Sequence, residues 1–146
     1  MRRYRFPLAT VLRVRTLQQE QARARLGTAV AAEVAAAGAV QDSLDRYQNS
    51  VQSGREVVAL SAFLASRQQS TARALSVRSA EGLQLQATRD RAEAFGAWTV
   101  AAGAESALRR LDERHRAEYQ REVLREDDRA IDELVVGRTY RKGRAS

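Results

Sequence analysis

From Leu8 to Val136 the chain is written almost without a break in residues that favour helix. Its one proline, Pro7, stands ahead of that stretch. A missing N–H costs nothing there, because the first helical N–H groups have no partner inside the helix. Asn49, Ser50, Ser53 and Gly54 form the only convincing breaker cluster. Such a chain cannot wrap an enclosed catalytic pocket. It predicts an all-α fold: a long antiparallel two-helix coiled-coil hairpin whose second helix is longer and overhangs the first. The expected parts of this single hairpin domain are helix one over about 8–52, a turn over about 53–60, helix two over about 61–136 and a basic tail over 137–146. Ser61 is the expected N-cap of helix two and Gly137 its stop.

The pairing faces follow from spacing. Leu26, Val30, Glu33, Ala37, Val40, Leu44, Tyr47 and Val51 alternate by four and three, as a coiled-coil stripe does, with Glu33 its charged intruder. Upstream the same register meets Leu12, Thr16, Gln19 and Arg23. The second helix offers Ala80, Leu83, Ala87, Asp90, Ala94, Ala97, Ala101, Ala104, Leu108 and Leu111. Tyr119, Val123, Ala130 and Leu134 continue an apolar face, with Leu124 and Ile131 beside it. A hairpin centred near residue 57 places residue 8 beside residue 107. The overhang is then roughly 25 residues, about 40 Å at 1.5 Å per residue. Its apolar stripe has no partner in the same chain, and an exposed stripe of that kind marks a binding surface.

Composition narrows the function. Hydrophobic residues make up 44% of the chain but aromatics only 5%, and much of the rest is alanine. Alanine seams bury little area, so at roughly 25 cal/mol per Å² the core is modest and a partner would add stability. There is no cysteine, which excludes disulfides and thiolate metal sites. No apolar run approaches the ~20 residues that span a bilayer, which points to the cytoplasm. Arg2-Arg3 glances at a twin-arginine signal, but Arg13 and Arg15 interrupt the apolar region that should follow.

Neither a glycine-rich phosphate loop nor a nucleophilic triad is present, and His115 is the sole histidine. No catalytic, cofactor or metal residues are therefore expected. Glu126, Asp127, Asp128, Asp132 and Glu133 cluster, but the interleaved Arg125 and Arg129 make a salt-bridged, solvated face the better reading. Phe95 and Trp98 read as packing residues. The net charge is +7, with a local +6 over residues 1–25 and +4 over 137–146. Residues 2–15 could lie on an acidic membrane surface. Nucleic acid is not an expected partner, because arginines alternate with acids along helix two and no recognised binding module fits.

The two ends carry a resemblance. Tyr4-x-Phe6-x-Leu8-x-x-Val11-Leu12-x-x-Arg15 opens a Gln-, Glu- and Ala-rich helix, and Leu108-x-x-Leu111-x-Glu113-Arg114, Glu118, Glu122, Arg125-Glu126 and Ile131-Asp132-Glu133-Leu134 close the second. This order and spacing resembles the FliJ family of flagellar export proteins over nearly the whole chain. The resemblance implies a non-enzymatic cytosolic component of the bacterial flagellar type III export apparatus, at the cytoplasmic face of the inner membrane. It implies a hairpin similar to the stalk of rotary ATPases. It also implies three partners: the hexameric export ATPase, the cytoplasmic domain of the export gate protein, and export chaperones. The ATPase-facing residues it implies are Leu111, Arg114, Glu118, Arg125, Ile131 and Leu134. Phe63 matches the first position of the gate-contacting patch, although Arg67 stands where a leucine-like residue would follow, with Ser70 after it.

A different class of function is a structural coiled-coil adaptor that dimerises through the free stripe, or the equivalent stalk of a virulence-type secretion system. A basic nucleic-acid-binding rod is a third reading, and predicts retention on DNA that falls steeply with salt.

Overall fold

The computed structural model of the protein describes residues 4–55 and 59–143, with side chains described as far as Leu134. Two helices make up almost all of it: α1 spans Ala9–Arg55 and α2 spans Leu60–Gly143. There is no strand among the described residues. The helices pair as an antiparallel hairpin, the fold expected from the sequence. The chain divides into two compact units.

The unit of residues Gln18–Ala101 holds most of α1 and the first half of α2. Its α1 seam runs Ala22, Leu26, Ala29, Glu33, Ala36, Val40, Leu44, Tyr47 and Val51, all half-buried. Val30, Ala37 and Arg23 were expected on this seam, and they lie outside it. Across it, α2 contributes Val77 and Ala80, both buried, then Gln84, Ala87, Arg91, Ala94 and Trp98. Leu83, Asp90 and Ala97 were expected here and point out. Over this poor seam the alanines leave hydropathy nearly symmetric about the helix, and a one-residue rotation costs the apolar pattern little. Glu33 is not stranded: Arg91 Nε lies 3.0 Å from its Oε2 across the seam.

The other unit comprises residues as far as Leu17 and from Ala102 onward. Here Leu12 and Thr16 of α1 face Glu105, Leu108 and Asp112 of α2, all half-buried. The Thr16 hydroxyl lies within hydrogen-bond distance of Leu12 O at 3.1 Å and Glu105 Oε1 at 3.2 Å.

Three boundaries differ from expectation. The Asn49–Gly54 cluster does not break α1, which runs on to Arg55. Its serines are helical, and their hydroxyls donate backwards, Ser50 to Tyr47 O at 2.7 Å and Ser53 to Asn49 O at 2.9 Å. Gly54 is a close-approach position: a Cβ there would meet Ser66 Oγ at 3.1 Å. The second helix begins at Leu60, with Phe63 N–H donating to Ala59 O at 2.9 Å, so Ala59 rather than Ser61 takes the cap position. Nor does Gly137 end α2, which reaches Gly143 and absorbs most of the expected tail; residues 144–146 of that tail, and 56–58 of the expected turn, lie outside the described residues. The pairing register differs as well. Phe6 meets His115 and Thr16 meets Glu105, partner numbers that add to 121 rather than 115.

Candidate partner-binding surface

The chain enters α1 through an ordered lead-in. Among the described residues Phe6 is the most deeply buried, 7% exposed, although it precedes the helix. Its ring meets His115 edge-on at 6.0 Å between centroids. The Tyr4 hydroxyl donates to Asp112 Oδ1 at 2.6 Å and also lies 3.1 Å from the Asp112 carbonyl. The Tyr4 ring packs on Tyr119 at 5.6 Å, with the Arg116 guanidinium 5.5 Å from its centroid. Desolvation holds the Tyr4 hydroxyl above its ordinary pKa of 10.0, and the bond to Asp112 and that carboxylate's charge act the same way; Arg116 opposes them. Pro7 and Leu8 form the turn, and Leu12 N–H donates to Leu8 O at 2.9 Å.

Beyond this anchor α2 continues without α1 beside it. The four- and three-residue seam runs Asp112, His115, Tyr119 and Val123, and its next positions are Glu126, Ala130 and Glu133. Burial ends at Val123, and every residue from Leu124 to Leu134 is exposed. The seam stops where its sequence turns acidic. From Val123 to Gly143 the helix extends twenty residues, about 30 Å. A separate apolar ridge stands on this extension, off the seam: Leu124, Ile131 and Leu134, exposed by 62%, 58% and 68%. Asp127 and Asp128 sit between Leu124 and Ile131, one turn from each. Over residues 122–134 six carboxylates stand against two arginines, a net of −4 in a chain of net +7. Arg125 pairs with Glu122 at 3.4 Å, and among the described residues no acidic or histidine cluster has the arrangement to hold a metal.

The six residues expected to face an ATPase fall into three places. Leu111 is half-buried beside the seam residue Asp112. Glu118 and Arg125 line an open groove with Tyr4, Arg5, His115 and Tyr119, and Arg114 is exposed nearby. Ile131 and Leu134 belong to the ridge. Sequence reading missed the groove's Arg5, which reaches α2 only through the lead-in, and Leu124 as the ridge's first member. The seven-residue step from Leu124 to Ile131 was the available signal.

A second exposed apolar group lies at the start of α2, in the Gln18–Ala101 unit. Phe63 is 41% exposed, and Leu60 and Leu64 on the same turn are 74% and 59% exposed. Arg67 borders this group, and Ser70 is half-buried with its hydroxyl 3.4 Å from Ser50 Oγ. Phe95 and Trp98 pack against each other at 5.8 Å, Trp98 half-buried and Phe95 50% exposed. Among the described residues no helix is long and apolar enough to cross a membrane.

No curated protein and no solved structure matches the chain. The sequence model of the flagellar FliJ protein family matches residues 4–144, and the chain belongs to that family.

Proposed function

We propose that this flagellar export component acts without enzymatic chemistry, as a helical stalk that engages the hexameric export ATPase through the free extension of α2. The observation that carries the reading is the ridge of Leu124, Ile131 and Leu134, which stands exposed on a helix that has run past its own seam. Among the described residues nothing covers it. Arg114, Glu118 and Arg125 supply polar contacts around its base, and Leu111 supports the helix from the seam side.

An asymmetric stalk in a ring of six would make otherwise equivalent ATPase subunits inequivalent, and so couple hydrolysis to export. The export gate would be contacted at the start of α2, through Phe63 with Leu60 and Leu64; the two leucines supply the apolar neighbours that Arg67 does not. Export chaperones would share these surfaces, and the protein would work at the cytoplasmic face of the membrane in a type III export apparatus. The test is binding to, and stimulation of, the cognate ATPase by the full chain. Failure of both, with helicity intact, removes the reading.

A further inference from the structure

The extension of α2 has a complement elsewhere on the molecule. Along the first turns of α1, Val11, Val14 and Leu17 form an exposed ridge at three-residue spacing, 44%, 48% and 52% exposed. Arg13 and Arg15 flank Val14 on its two sides. Residues 5–25 hold five arginines against one glutamate, a net of +4. The molecule therefore carries an apolar ridge bordered by arginine and an apolar ridge bearing aspartate.

These two ridges cannot meet within one chain. The lead-in fixes the start of α1 beside Asp112 and His115. The antiparallel α2 then runs on past the lead-in, and its burial ends at Val123. A second copy has no such restriction. With its lead-in end facing the first copy, its α1 runs in the same direction as the arriving extension of α2. Leu124, Ile131 and Leu134 then lie along Val11, Val14 and Leu17, with Asp127 and Asp128 against Arg13 and Arg15. A two-fold axis makes the same contact twice, as an isologous interface requires.

We propose that the protein self-associates through this contact, the acidic α2 ridge of each copy docking on the basic α1 ridge of the other. Opposite local charge selects this pairing over ridge-on-like-ridge contact, which would set −4 against −4. The inference goes beyond the stalk reading and does not depend on it. It adds a consequence: the dimer covers the ridge that the ATPase would take, so the two assemblies exclude each other.

Sedimentation velocity of the full chain, without any ATPase, tests it. The wild type forms a dimer at low salt that weakens as salt rises. The charge reversals D127R/D128R and R13D/R15D each keep wild-type helicity and each weaken self-association at least tenfold. Mixed one to one, the two variants associate again, because every reversed ridge then faces its opposite. A wild type that stays monomeric at low salt overturns the proposal. So does a reversed variant that dimerises like the wild type, or a mixture that fails to associate.

Discussion

Tyr4 donates its hydroxyl to Asp112 at 2.6 Å, joining residues 108 positions apart and setting where α1 begins against α2. Its pKa is raised in the folded chain, first by desolvation and then by Asp112. A group with a raised folded pKa contributes stability that is complete below its unfolded value and lost as pH rises through the folded one. Unfolding midpoints should therefore fall across the alkaline tyrosine range, and Y4F should flatten that fall. A Y4F profile as steep as the wild type would remove Tyr4 as its source.

Glu33 and Arg91 pair across an otherwise apolar seam. Both are partly exposed, so R91A should cost no more than about 1 kcal/mol. The double replacement E33L/R91L should be neutral or stabilising, since leucines there extend the coiled-coil stripe. Urea denaturation measures both; a double variant clearly weaker than R91A would mean that the ion pair fixes the register.

Gly82 and Gly96 lie inside α2, and a Cβ built on either meets nothing within 4 Å. G82A and G96A should each stabilise the chain by about 1 kcal/mol, the helix-propensity difference alone. Gly54 should behave oppositely, because its Cβ would press on Ser66 Oγ. Thermal melts of the three variants separate the cases.

Phe63 is exposed beside Leu60 and Leu64. F63D should leave stability within about 0.5 kcal/mol of wild type, as a surface change does. It should weaken binding to the cytoplasmic domain of the export gate and leave ATPase binding alone. An unchanged gate affinity would place that contact elsewhere.

Helix and hairpin were legible because helix-favouring residues run unbroken on both sides of one short polar cluster. The finer geometry was less so, for definite reasons. Hydropathy alone favours Val30 over Ala29 for one seam position, yet the structure places the smaller Ala29 there and leaves Val30 41% exposed. Ser50, Ser53 and Gly54 look like breakers, yet α1 runs through them to Arg55, and Gly54 sits where Ser66 of α2 comes close. Local sequence does not carry the contacts of Phe6 and Tyr4 with His115 and Asp112, because they join positions more than a hundred residues apart and depend on a pairing register that no local pattern fixes. The exposed ridge was partly visible: Ile131 and Leu134 were singled out, while Leu124 was set beside the seam rather than on a face of its own.

Engagement of the export ATPase by the free extension of α2 is read by hydrolysis of the cognate ATPase titrated with the wild-type chain and with L124D/I131D. Both substitutions lie past the end of the seam, so helicity and unfolding midpoint should not change. The wild type should bind and stimulate, and the variant should do neither. Equal stimulation by the two chains would contradict that engagement.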